Sequence, residues 1–418
     1  MEEMRDSQRA PFYLLRVCKD WTVIAIRHSS LWRYLTFDFA RPAQVTPKIL
    51  RLLQTRLCYL GTEGKIDICI NSAKNAIINR IADYVPAERL LGLELHGHRS
   101  DWIKKGMFHV QSTFTNLERL CLDLRSWVPS NTDSQLDVIE RFASPRIREL
   151  VLRGWNLEPK ALLLNLASLE QLQHLELTSA IAGISCTYET PVTLASLSSL
   201  KLDNLCPQIL QFMTHVQTPN IRHLTVQMCN STRAERIKVL STAFIADFIT
   251  RIDDRLILST DELVETSGWG QRAATTITHP VTQVTLGPLV LRVVHEEDVE
   301  AAEQGLVMVE LLEALDVREV KELAVNYVAL AKSEWRKIFM EMKSLDRVTF
   351  WCSPNAEGVA AFLNVLPGRQ VALGQVEVAV DECKAKMRDA DFYKLKKLYR
   401  EQEAQKEEGA GWRAWVWS

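Results

Sequence analysis

The sequence predicts an α/β chain: an irregular solenoid of short strands stacked rung on rung, with helical or irregular returns, preceded by a small helical module. Three observations carry that expectation. A string of the form apolar-x-x-apolar-x-apolar recurs as Leu90/Leu93/Leu95, Leu117/Leu120/Leu122, Ile147/Leu150/Leu152, Leu172/Leu175/Leu177, Leu197/Leu200/Leu202 and Ile221/Leu224/Val226, with starts 27, 30, 25, 25 and 24 residues apart. Alternation within each string makes a strand with one face inward, and the residues between strings must return the chain to the next rung. Near the N-terminus the period is helical instead, with Leu14, Val17, Cys18 and Trp21 on one stripe.

Composition narrows the classes. With 418 residues, 47% hydrophobic and 24% charged, the chain has material for a sizeable core or for one elongated array. A net charge of -2 gives no basic field for phosphate backbones, so nucleic acid is not expected as a partner. No apolar run is long enough to span a membrane, and Met1 to Arg9 lacks the basic start and apolar centre of a signal peptide, so no membrane partner is expected and the location reads as cytoplasmic or nuclear. Nine cysteines without a Cys-x-x-Cys pair suit reduced thiols buried as small hydrophobes.

The first element, residues 1–40, holds Leu14-Leu15-Arg16-Val17-Cys18-Lys19-Asp20-Trp21 followed by Ser29-Ser30-Leu31-Trp32-Arg33-Tyr34-Leu35. These strings resemble the second half of an F-box, the helical module by which a substrate receptor hangs on a Skp-type adaptor of a cullin-based ubiquitin ligase. The resemblance implies that Leu14, Leu15, Val17, Cys18, Trp21, Leu31 and Trp32 contact the adaptor. F-boxes begin with a helix bearing a Leu-Pro-x-Glu-type start, whereas Met1 to Arg9 is polar, so the segment reads as a partial F-box without its first helix. By physics alone, two short helices with large apolar anchors bury too little to stand by themselves. A plain cap packed on the following domain is the other reading. A helical connector, 41–63, follows.

The array occupies 64–380. Beyond Ile221 the strings continue more loosely at Val281/Val284/Leu286, Val320/Leu323/Val325, Leu345/Val348/Phe350 and Leu373/Val376/Val378, while Ile66 and Ile68 suggest an opening rung with Glu63 at its first position. Phe212 with Val216, and Ile139 with Phe142, mark helical returns. The pattern resembles a leucine-rich repeat, in which each unit buries its aliphatic side chains only against its neighbours. Regular repeats place Asn or Cys three residues after the last apolar strand position. Here only Cys229 satisfies that, the other turns carrying Arg125, Trp155, Ala180 and Leu205, so variable returns are expected. An ordinary α/β domain with evenly placed strands is the alternative.

An irregular insertion is expected near 231–280. Glu235 through Phe244, Phe248 and Ile249 reads as an amphipathic helix, Leu256-Ile257-Leu258 as a strand, and the polar Thr260 to Pro280 as a protruding loop centred on Ser267-Gly268-Trp269-Gly270. Residues 381–418 read as a charged helix carrying Phe392, Tyr393, Leu395, Leu398 and Tyr399, then a tail with Trp412, Trp415 and Trp417. Docking of that tail on the end of the array, contact with a partner and a free end all remain open.

No phosphate-cradling Gly-rich loop, Gly-x-Ser-x-Gly elbow or His-Glu-x-x-His helix is present, so the chain reads as a recruiter and not an enzyme. No cofactor is expected. His96-Gly97-His98 with Asp101 comes nearest to a metal cluster, but it falls where a turn is expected, and no metal site is expected there. Between the buried strand positions, side chains must face the other way: Arg119, Cys121 and Asp123; Glu149, Val151 and Arg153; His174, Glu176 and Thr178; Ser199, Lys201 and Asp203; His223, Thr225 and Gln227. About ten rungs spaced by ~4.8 Å would give an edge of roughly 45 to 50 Å, enough for a standard interface of about 800 Å² per partner. The expected function is therefore the substrate-recognition subunit of a cullin-RING ubiquitin ligase, bound to a Skp-type adaptor and holding a target protein on this face. The alternative is a stand-alone repeat scaffold uncoupled from any ligase.

Overall fold

A computed structural model describes residues 15–28, 30–38, 47–71, 85–98, 116–126, 144–155, 157–182, 191–249, 255–267, 275–286, 289–295, 301–315, 317–326, 330–352, 361–362, 364–365, 375–378 and 413–415. The chain is α/β, its strands mostly parallel, and it divides into two units.

In the first unit, β1 (Tyr34–Asp38), β2 (Ile66–Asn71), β3 (Leu90–His98), β4 (Arg119–Ser126), β5 (Glu149–Arg153), β6 (His174–Thr178) and β8 (Ser199–Leu205) lie side by side in chain order. Every pair among them is parallel. Ile68, Leu93, Leu120, Leu150, Leu175 and Leu200 occupy one register position, and Ile70, Leu95, Leu122, Leu152, Leu177 and Leu202 the other. All twelve are buried, which makes them the aliphatic spine of this unit. At about 1.5 to 3 kcal/mol for each side chain removed from water, two such residues per rung supply the main force that stacks the rungs. The two-residue strands β7 (Val192–Thr193) and β9 (Val216–Gln217) form a separate short parallel ladder within the returns.

The N-terminal module differs from its sequence reading in three ways. Helix α1 (Lys19–Arg27) begins only after Cys18, whose backbone is extended, so Leu15 and Val17 sit in a turn and do not share a helical stripe with Trp21. Leu14 lies outside the described residues. After the four-residue helix α2 (Ser30–Arg33) the chain becomes strand at Tyr34, inside the stretch 1–40 expected to be a partial F-box-like helical segment. The cause is Leu35, which is fully buried in register with Ile68 and extends the spine by one rung. Trp32, read as an adaptor contact, is also fully buried: its Nε1 donates to the Ala25 carbonyl at 2.7 Å and its ring meets Tyr59 at 4.5 Å. Tyr59 belongs to α3 (Pro47–Leu60), which fills the connector; from the same helix the buried Arg56 donates to the Tyr34 carbonyl at 2.7 Å.

The turns after the strands show how the chain does without the usual Asn. Trp155, nearly fully buried, donates from Nε1 to the Leu122 carbonyl at 2.9 Å, so an indole satisfies a backbone acceptor of a preceding rung. Beside it Gly154 has φ +72, and a Cβ there would stand 2.5 Å from the Leu124 carbonyl oxygen, so the position requires glycine. Helix α4 (Pro159–Ala167), with Pro159 at its first turn, returns the chain to β6 and buries Leu162, Leu163 and Leu166. The return expected around Ile139 and Phe142 lies outside the described residues.

In the second unit the strand order is β10-β13-β12-β11-β14-β15-β16-β17. The sequence reading placed Val281/Val284/Leu286 on the rung after Ile221/Leu224/Val226. Instead β13 (Leu289–Val294) lies parallel to β10 (His223–Cys229), with Leu224 opposite Leu289 and Val226 opposite Leu291. β12 (Thr275–Leu286) then runs antiparallel to β13, and β11 (Arg255–Ser267) lies beyond it. Most of the expected loop, Thr260 to Pro280, is thus strand. Its signal is the β-branched alternation of Thr275 to Thr285, which polarity obscured; Trp269 lies outside the described residues.

Parallel order resumes with β11, β14 (Glu322–Asn326), β15 (Arg347–Cys352), β16 (Gln375–Val378) and β17 (Arg413–Trp415). Leu323, Val348 and Val376 share one register position, and Val325, Phe350 and Val378 the other. Trp415 of the tail thus belongs to a strand that pairs with β16, whereas Trp412, Trp417 and the expected helix over 381–408 lie outside the described residues. The single helix expected from Glu235 to Ile249 is two, α6 (Arg233–Leu240) and α7 (Ala243–Ile249), numbered after α5 (Cys206–His215). A reciprocal cap starts α6: the Thr232 hydroxyl accepts from the Glu235 amide, and the Glu235 carboxylate accepts from the Thr232 amide at 2.8 Å. The described residues of the unit also include helices α8 (Ala301–Ala314) and α9 (Lys332–Glu341). Trp335 of α9 packs with Phe339, Phe350 and Phe362 at ring separations of 4.9 to 5.9 Å.

Candidate interaction surfaces

Two surfaces emerge, both in the first unit. One is α1 with its flanks. Trp21 is 47% exposed and Val17 63%, with Val23, Ile24, Ile26, Leu31 and Tyr34 also open to solvent; Ala25 alone of α1 is buried. A helix apolar on nearly every side is ordinarily enclosed, so this one presents surface that water disfavours. Of the residues that the F-box resemblance put on the adaptor, Val17, Cys18, Trp21 and Leu31 are exposed, Leu15 is half-buried, and Trp32 is an internal anchor.

The other surface is the strand face opposite the spine. Strand register sorts its side chains into three rows, because each position recurs at the next strand about 4.8 Å away. One row runs Tyr34, Asp67, Gly92, Arg119, Glu149, His174, Ser199; the next Thr36, Cys69, Glu94, Cys121, Val151, Glu176, Lys201; the third His96, Asp123, Arg153, Thr178, Asp203.

Much of this face is engaged with itself. His96 Nε2 lies 2.6 Å from Glu94 Oε1, and its Nδ1 lies 3.2 Å from Asp123 Oδ2. Arg153 reaches Asp123 at 3.5 Å and Glu176 at 2.9 Å, and Lys201 closes the series on Glu176 at 3.0 Å. The result is a ladder of alternating charge across five strands. Asp123, Asp203 and Gln227, expected to face a partner, are buried. Arg119 and His174 are exposed, as is His223 in the second unit, while Glu149, Arg153, Glu176 and Lys201 are half-buried. In the first row Asp67 accepts from Arg33 at 2.8 Å and from Arg119 at 2.6 Å. Gly92 makes room for this, because a Cβ there would stand 2.4 Å from Asp67 Oδ1.

The electrostatics follow from that pairing. Burial disfavours the His96 imidazolium, but the hydrogen bonds it makes to Asp123, Cys69 and Glu94 outweigh it and push the pKa up to about 11. The same His96 contact holds the Glu94 carboxyl below its usual range against the opposing effect of burial. For Glu176 burial opposes ionisation, and the hydrogen bonds from Arg153 and Lys201 reverse it. Burial raises the Cys121 thiol, keeping it protonated.

Sequence reasoning misses Cys69, Glu94 and His96 as a group, although it singles out His96 with Gly97 and His98. That stretch was expected to be a turn. It is instead the end of β3, with a register shift between His96 and His98, and Asp101 lies outside the described residues. The signal was available: Glu94 and His96 are two apart on one strand, and Cys69 sits one rung earlier in the same alternation.

No family model matches the chain, and neither does any curated protein. Among solved structures, a chain in the crystal structure of the Rad7 and Elc1 complex in yeast is similar at 12% identity, over 83% of this chain and 84% of that one, with a TM-score of 0.32. Among the described residues no helix is long and apolar enough to cross a membrane.

Proposed function

We propose that this chain is a non-catalytic, leucine-rich-repeat-type receptor in the cytoplasm or nucleus, joining a target protein to a Skp-type adaptor and its cullin complex. The observation that carries the reading is the exposed apolar surface of α1 beside a module whose own core Trp32 already fills. Val17, Cys18, Trp21 and Leu31 fall where the F-box resemblance puts adaptor contacts, and these are the positions left open. The strand face suits the target side: rigid strands display mixed charge, histidines and hydroxyls, a chemistry fitted to selective contact with a folded protein.

The test is binding of the full chain to a purified Skp-type adaptor by biolayer interferometry. Trp21→Asp combined with Ile24→Asp should weaken binding at least ~30-fold, the loss of one aromatic anchor alone being worth about 2 kcal/mol. Leu164→Asp, at an exposed leucine on α4, should leave it unchanged. Absence of binding by the intact, cooperatively melting chain would overturn the ligase coupling in favour of a stand-alone scaffold.

A further inference from the structure

The strand face holds one group whose chemistry exceeds that of a binding surface. We propose that Cys69, Glu94 and His96 form a site for one zinc ion, with Asp123 orienting the imidazole from behind.

Each of the three residues offers one ligand atom, and those atoms lie within 4.8 Å of one another. Donors around a tetrahedral zinc stand about 3.3 to 3.6 Å apart for bonds of about 2.0 to 2.3 Å, so side-chain rotation alone closes the site. The backbone already holds them there. Cys69 and Glu94 are register partners on β2 and β3, and His96 follows Glu94 by two on the same face. Ligands carried on paired strands are fixed more tightly than ligands on a loop.

The donor set selects the ion. Thiolate, imidazole and carboxylate together suit zinc, whereas magnesium and calcium take oxygen ligands alone. Asp123 supplies the support that zinc histidines ordinarily have: a fully buried carboxylate 3.2 Å from Nδ1, which fixes the ring and leaves Nε2 to the metal. Nε2 now shares a hydrogen with Glu94 Oε1 at 2.6 Å. Zinc replaces that proton, Cys69 binds as thiolate, and both protons pass to solvent. The His96 side chain is 16% exposed and that of Glu94 37%, so the ion has an entry path and water completes the tetrahedron.

Cobalt(II) titration of the full reduced chain tests this directly, independently of adaptor binding. One equivalent should give tetrahedral visible bands and a thiolate-to-cobalt charge-transfer band, both displaced by zinc. Cys69→Ser should abolish the charge-transfer band, and Cys121→Ser, at the thiol one rung beyond Glu94, should retain it. Chelator competition should show zinc affinity at least 100-fold weaker in His96→Gln and about 10- to 100-fold weaker in Asp123→Asn. No thiolate band from the wild-type chain at one equivalent overturns the proposal, as does a band that survives Cys69→Ser. Should Cys69→Ser lose the wild-type circular dichroism, unchanged zinc affinity in a folded His96→Gln overturns it equally.

Discussion

Replacing Leu175 by alanine is the most direct probe of the spine. Leu175 is 2% exposed and stands in register between Leu150 and Leu200, each equally enclosed. Removing its branched tip forfeits the transfer free energy of those carbons and leaves a cavity, together about 2 to 5 kcal/mol in comparable cores. The upper half of that range is expected, about 3 to 4 kcal/mol, because hydrogen-bonded strands on both sides cannot collapse into the space. Leu164 provides the control: the same residue type, on α4 in the return just before Leu175, but 57% exposed. Leu164→Ala should stay within about 0.5 kcal/mol of wild type. Urea unfolding followed by circular dichroism reads both as shifts in midpoint at constant slope. Leu175→Asp adds an unpaired buried carboxylate to the same loss, and with total stabilities of order 5 to 15 kcal/mol it should leave the first unit unfolded at 25 °C. A Leu175→Ala midpoint equal to wild type, or a Leu164→Ala loss as large, would refute the register and the energetic argument together.

Two further predictions rest on polar contacts. Gly92→Ala should cost about 1 to 3 kcal/mol, because its Cβ displaces the Asp67 carboxylate from Arg33 and Arg119; the cost should shrink in an Asp67→Ser background, and a double-mutant cycle without coupling would disprove the contact. In the second unit His295 is buried and its Nε2 lies 2.7 Å from the Thr282 hydroxyl; burial, helped by the Arg236 charge, lowers its pKa to about 4. The unfolded chain therefore takes up this proton first as pH falls. The stability it contributes is whole above about pH 6.5 and is lost progressively toward pH 4, by up to about 3 kcal/mol. Between pH 7 and 5, chemical unfolding of His295→Gln should show a smaller loss than wild type, and parallel curves would rule the titration out.

The sequence alone determined that strands recur about every two dozen residues and which side chains face inward, because alternation and spacing are local and the spine positions at Leu120, Leu150, Leu175 and Leu200 must repeat for neighbouring rungs to bury one another. What it left undetermined depends on residues distant in the chain. Trp32 is indistinguishable from Trp21 until α3 brings Tyr59 against it. Leu35 reads as the end of a helix until β2 offers a register partner. The rung after β10 is β13 and not the nearer Val281 string, because antiparallel pairing of β12 with β13 competes with simple succession. Most of all, Asp123, Arg153, Glu176 and Lys201 look like a free recognition face in one dimension. Only strand packing, which sets their charges one rung apart, ties them to each other and gathers Cys69, Glu94 and His96 into a single site.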